Sequence, residues 1–167
     1  VVAEDDIVDA HFVRIKNGLM LHIMNSECAL DLLMIAKYLE RIGDHAENIA
    51  DAAKQRKEDG ISFSKDAQKE LGEMLDMVNK LIQYSVDMFV KGDETHMKDV
   101  ITLEDNVDAM EKLVQKKHVE RLTKGECTPE AGMIFSDIAS CLERVADHAT
   151  NIAFAIVDAE KEAEASE

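Results

Sequence analysis

The stretch Leu39-Glu40-Arg41-Ile42-Gly43-Asp44-His45-Ala46-Glu47-Asn48-Ile49-Ala50 decides the fold, because the chain contains it twice. The second copy, Leu142-Glu143-Arg144-Val145-Ala146-Asp147-His148-Ala149-Thr150-Asn151-Ile152-Ala153, follows 103 residues later and matches at nine of twelve positions. Its apolar residues recur at three- and four-residue steps, the spacing of one helix face. The identities also include Glu, Arg, Asp, His and Asn, which a helix needing only an apolar face would not require. Glu40 and Asp44 lie one turn apart on the same side of such a helix, as do Glu143 and Asp147. Like charges at that spacing weaken a helix, so a chain that repeats the pair has a use for it.

Working outward, the first copy sits in a helix expected over about 27–57, with Ile35, Leu39, Ile42, Ala46, Ile49 and Ala53 on one stripe. The second sits in a helix over 129–158, where Ile138, Leu142, Val145, Ala149, Ile152 and Ile156 each stand 103 residues beyond a partner. A preceding helix over 1–24 carries Val8, Phe12, Ile15, Leu19 and Ile23, and Asn25-Ser26 breaks it. Glu58-Asp59-Gly60 ends the first motif helix, and Ser64 can cap a helix over 65–91 built on Leu71, Leu75, Val78, Ile82 and Phe89. Gly92-Asp93 turns the chain into a helix over 94–123, which Lys124-Gly125 closes. Thr128-Pro129-Glu130 supplies the cap, first-turn proline and first-turn acid of a helix start. The Ala/Glu-rich residues 159–167 read as a solvated acidic tail.

Helices of this length joined by short loops make an all-α, antiparallel helical bundle. The repeat divides it into a partial first unit of two helices over 1–59 and a second, three-helix unit over 60–158. Asp6-Ile7-Val8-Asp9-Ala10 matches Asp105-Asn106-Val107-Asp108-Ala109 at an offset of 99, so the first unit lacks its first helix. With Val, not Met, at position 1, the expectation is that an N-terminal helix and part of the next are absent from this sequence.

With 46% apolar and 32% charged residues, one proline and seven glycines in 167 residues, the chain has a globular composition and little strand-and-turn punctuation. A net charge of −16 argues against nucleic acid, whose phosphates require clustered Lys and Arg. Three cysteines, Cys28, Cys127 and Cys141, with no C-x-x-C, fit reduced thiols in a cytoplasmic chain and not a disulfide framework. No apolar run is long enough for a membrane span, and no signal peptide is visible. A homo-oligomer is compatible with the sequence.

The same offset exposes a second acidic motif. Asp5-x-x-x-Asp9 and Glu104-x-x-x-Asp108 repeat the one-turn pairing on the helix that precedes each Glu-Arg-x-x-Asp helix. If the pairs face each other, four carboxylates converge in each unit. Two such anions about 6 Å apart repel by roughly 3 kcal/mol at an effective dielectric near 20, so the group needs protons, basic partners or cations. Oxygen-only donors suit hard cations such as iron, manganese, magnesium or calcium. One acidic pair on a charged helix is ordinarily solvated surface, but four pairs, kept in register while the rest of the repeat diverged, point to metal binding. Asn48 and Asn151 add a neutral oxygen one turn on. His45 and His148 are either peripheral ligands and donors around the site or rings packed at a helix interface. Arg41 and Arg144 read as ion-pair partners of the carboxylates.

A di-iron oxidase would use Glu-x-x-His pairs, and no histidine has a Glu three residues before it. No Gly-x-Ser-x-Gly, Cys–His pairing within the repeat or phosphate loop supports nucleophilic catalysis. Met20, Met24, Met74, Met77 and Met88 read as core filler or a partner-facing surface.

The doubled Leu-Glu-Arg-Ile-Gly-Asp-His-Ala-x-Asn-Ile-Ala segment and the upstream Asp-x-x-Val-Asp motifs closely resemble the PhoU family of phosphate-uptake regulators, over nearly the whole chain. The second copy departs in having Val-Ala where the first has Ile-Gly. The resemblance implies two three-helix bundles and multinuclear metal clusters, iron first and manganese, magnesium, calcium or zinc as alternatives. Its ligands would be Asp5, Asp9, Glu40 and Asp44, then Glu104, Asp108, Glu143 and Asp147. It further implies a non-enzymatic negative regulator standing between the phosphate transporter ATPase and a phosphate-sensing histidine kinase. A carboxylate-bridged metalloenzyme (hydrolase or oxidase), and a PhoU-like domain of a sodium-phosphate cotransporter, are the competing readings.

Overall fold

The computed structural model describes the backbone of residues 29–164 and the side chains of 33–155. Four helices follow one another in this part: α1 (Ala29–Glu58), α2 (Lys65–Lys91), α3 (Met97–Thr123) and α4 (Pro129–Glu164). The helix expected over 1–24, with Asp5 and Asp9, lies outside the described residues. No strand occurs among the described residues, and none of their helices is long and apolar enough to cross a membrane.

Local chemistry sets the helix ends. The Ser64 hydroxyl accepts from the Ala67 N–H at 3.2 Å and caps α2, satisfying a donor that the helix itself cannot. Thr128 does the same for Ala131 at 3.2 Å, just before the first-turn Pro129 of α4. Gly92 takes φ 66°, a left-handed conformation costly to residues with a Cβ, and its N–H donates to Met88 O at 2.7 Å to close α2. α4 runs on to Glu164, six residues past the expected end at 158. The Ala/Glu-rich tail has high helix propensity and nothing in it breaks the ladder.

α2, α3 and α4 form a three-helix unit around Met74, Val78, Leu81, Val107, Val114, Phe135, Leu142 and Val145. A second cluster, Ile35, Met88, Phe89, Val100, Ile152 and Ala153, ties α1 into the same structure. Among the described helices, α1 packs on α4 alone. On α1, Ala46 and Ala53 stand exposed although Ile35 is buried. The α4 stripe matches expectation from Ile138 through Ile152, all buried. The α2 stripe matches only at Val78 and Phe89: Leu75 is 46% exposed, and Leu71 and Ile82 only flank the core. Its buried line is Ala67, Glu70, Met74, Val78, Leu81, Ser85 and Met88, with a charge in the middle that apolar counting passes over. Met74 and Met88 are thus core residues. Glu70 is tolerated inside because Lys117 Nζ and Arg121 Nη1 of α3 reach its carboxylate at 3.1 and 2.9 Å.

Two glycines offer a matched test of this packing. A methyl group on Gly132 would overlap the His118 ring, whereas one on Gly72 would meet nothing within 4 Å. Gly132→Ala is expected to lower stability by about 1–3 kcal/mol. Gly72→Ala, in an exposed stretch of α2, should raise it by about 0.5–1 kcal/mol. Urea denaturation of both variants checks the pair; equal effects would contradict the close seating of His118 on α4.

Candidate metal centre

The carboxylate site grows from the hairpin of α3 and α4. Ser140 Oγ donates to Glu111 Oε1 across the two helices at 2.9 Å. In an antiparallel pair, equal steps in opposite directions stay level, so three residues on from this bond Asp108 stands level with Glu143. Seven residues on, Glu104 stands level with Asp147. The electrostatics report the same pairing. Burial, then Asp108 and Asp147, hold the Glu104 carboxyl above its ordinary value. Burial, then Asp147, Glu111 and Asp108, hold Glu143 up, with Arg144 pulling the other way. Glu104, Asp108 and Glu143 are half-buried and Asp147 is exposed. The one ion pair of this group among the described residues is Lys112 Nζ to Asp108 at 3.7 Å. Crowded anions with so little compensation attract cations.

Glu111 is the residue that the repeat could not reveal. It continues the line Glu104, Asp108, Glu111 by one turn, and it accepts from Ser140 and from Gln115 Nε2 at 3.0 Å. At the corresponding places in the first unit stand Phe12 and Lys37, so a search for repeated carboxylates skips both ends of this bond.

As they stand, no three His, Cys, Asp or Glu side chains among the described residues converge tightly enough to hold an ion. The donor set nonetheless fits a hard cation: it is all oxygen, and burial together with neighbouring carboxylates pushes Glu104 and Glu143 up. In the first unit, Glu40 and Asp44 are exposed on α1, while Asp5 and Asp9 lie outside the described residues. Asn48 and Asn151 are exposed.

The histidines occupy a different place. His45 and His148 stack on each other between α1 and α4, centroids 5.6 Å apart and planes 22° apart, and Tyr38 stacks on His148 at 5.9 Å. Each Nδ1 is buried with no hydrogen-bond partner among the described residues. Burial, then Arg144, lower His45; burial, then His45 and Arg41, lower His148. Arg41 and Arg144 each act on both histidines, so the two copies of the motif lie side by side at this contact. Neither Arg41 nor Arg144 forms an ion pair with a described carboxylate.

Two predictions follow from the hairpin. For Glu104 and Glu143 the folded state holds the proton more tightly than the unfolded one, so both charged groups oppose folding at neutral pH. That opposition fades as the pH falls through the raised values and is absent below the ordinary one. Glu104→Gln and Glu143→Gln should each stabilise the metal-free chain at neutral pH by about 0.5–1 kcal/mol, with the gain gone below about pH 4. Urea titrations across pH check this, and destabilised variants at neutral pH would contradict it. Ser140→Ala should cost about 1 kcal/mol in the same assay by removing the bond that sets the register.

The chain was compared with known proteins. The family model described as PhoU domain matches residues 1–53 and 71–156. The chain is 34% identical over 123 residues to the phosphate-specific transport system accessory protein PhoU homolog 1 of Thermotoga maritima, covering 74% of this chain and 52% of that protein. It is 27% identical over 162 residues to the phosphate-specific transport system accessory protein PhoU homolog of Clostridium acetobutylicum, covering 91% of this chain and 72% of that protein. It therefore spans about half the length of the first relative. No solved structure matches it. A family model that spans both copies of the motif, and the buried helical architecture built around them, leave one conclusion: the chain belongs to the PhoU family.

Proposed function

We propose that the chain is a non-enzymatic, metal-binding accessory regulator of phosphate uptake, acting in the cytoplasm as a negative regulator through protein contacts. The observation that carries this reading is the set of facing pairs Glu104/Asp108 and Glu143/Asp147 on a fixed hairpin, with Lys112 as their one ion-pair partner among the described residues. The accessory role rests on the names of its relatives.

Glu104, Asp108, Glu143 and Asp147 would hold the cations of the second unit, and Asp5, Asp9, Glu40 and Asp44 those of the first. A multinuclear iron cluster suits these donors, as would manganese, magnesium, calcium or zinc in its place. Cations held by these carboxylates would neutralise their charge and would supply a Lewis-acid centre for phosphate or for a partner's carboxylate. The chain's own part is positional. The Ser140–Glu111 bond holds the register, and the buried α4 stripe keeps Glu143 and Asp147 on a rigid edge. The phosphate transporter ATPase and a phosphate-sensing histidine kinase are the expected partners.

Elemental analysis of protein purified without chelators is expected to show bound metal that Glu143→Gln/Asp147→Asn removes from the second unit. Pull-down with the transporter ATPase and the kinase should succeed with the metal-loaded chain. Metal retained in full by the double variant would sink the site, and failure to bind either partner would sink the adaptor role. Turnover of phosphoesters or peroxide, abolished in the same variant, would replace the regulator by a metalloenzyme.

A further inference from the structure

A second constellation lies at the end of the bundle where α2 and α4 begin. Cys127, in the turn between α3 and α4, sets its Sγ 3.8 Å from His118 Nδ1. His118 is 8% exposed and is seated against Gly132. Burial, then Arg121, keep its imidazole below the ordinary value, and it is Nδ1 that faces the thiol. Beside the thiol is a half-open cavity of about 20 Å³, lined by Ser62, Phe63, Ser64, Arg121 and Phe135 together with this Cys–His pair. It has room for one water-sized group.

Arg121 completes the arrangement. Its side chain is 11% exposed, its Nη1 donates to Glu70, and its guanidinium lies over the Phe135 ring at 5.2 Å. Its Nη2 is buried with no partner among the described residues. A buried N–H without an acceptor is unfavourable, and an oxygen placed in the cavity would relieve it.

We propose that Cys127 is a site of reversible oxidation by hydroperoxides, at which the oxygen added to sulfur enters this cavity and accepts a hydrogen bond from Arg121. His118 Nδ1 takes the thiol proton as the sulfur attacks one peroxide oxygen. The S–O bond forms as the O–O bond breaks, and the departing hydroxide or alkoxide recovers the proton as water or alcohol. Sulfur loses the two electrons that the peroxide gains, so no further oxidant is needed, and the product is a sulfenic acid. Cys141 lies about 18 Å along α4 from that helix's first residue, beyond the reach of a disulfide. A small external thiol can return the sulfenic acid to the thiol. Cys141 is also the internal contrast, because burial, then Asp137, push its thiol up. The oxidised turn joins the two helices that carry the second carboxylate site.

The test treats the full chain with substoichiometric hydrogen peroxide in the presence of dimedone and maps the label by peptide mass spectrometry. Cys127 is expected to be labelled about tenfold more than Cys141. Arg121→Lys, which keeps a cation for Glu70, should lower Cys127 labelling severalfold while leaving its alkylation by iodoacetamide unchanged. His118→Asn should lower both. Labelling of Cys127 no greater than that of Cys141 overturns the proposal, and so does labelling unaffected by Arg121→Lys in a variant with an unchanged helical spectrum. Should that variant not fold, the comparison of the two thiols in the unaltered chain decides alone.

Discussion

The site depends on the register of α3 against α4, and one polar contact across that hairpin marks the register: Ser140 donating to Glu111. Apolar packing alone would tolerate a slide of two turns, because Val100, Val107 and Val114 recur at seven-residue steps along α3. Such a slide would keep a core but separate Glu104 from Asp147 and Asp108 from Glu143. The hydrogen bond penalises it at both ends, by losing an acceptor and by leaving a half-buried carboxylate without its donor. The structure thus holds anions opposite one another at a cost to its own stability. Such local conflict is where a protein's sites are found.

The two copies of the motif meet through their histidines, not through their carboxylates. His45 on His148 forms the contact between α1 and α4, and each arginine acts on the opposite imidazole. The carboxylate edge of the second copy is left for the helix that precedes it. For the second copy that helix is α3, with Glu104 and Asp108. The −16 net charge is accordingly not spread as a uniform solvated surface: part of it is gathered where helices force it together.

Much of this was legible in the sequence, for physical reasons. The α4 stripe follows helical periodicity from Ile138 to Ile152, and Ser64, Gly92 and Thr128-Pro129 announce helix ends through the hydrogen bonds they can make. The pairing of Glu104/Asp108 with Glu143/Asp147 was readable as an expectation because each pair has a first-copy counterpart, 99 residues earlier for the former and 103 for the latter. Three features were not. The α2 face hides a charge, Glu70, whose burial depends on Lys117 and Arg121 nearly fifty residues away or more. Glu111 and Ser140 have no counterpart in the first unit, where Phe12 and Lys37 stand. The Cys127–His118 contact joins a turn to a helix face, and no spacing rule links them.

The central claim is that the hairpin register makes a cation site of Glu104, Asp108, Glu143 and Asp147. Anomalous diffraction from crystals of the chain soaked in manganese(II) tests it most directly, since the scattering locates the ion without reference to activity. The account predicts an anomalous peak between the α3 pair and the α4 pair, lost in crystals of Glu104→Gln/Glu143→Gln. Ordered α3 and α4 carboxylates with no peak between them, while manganese is seen elsewhere on the chain, would contradict it.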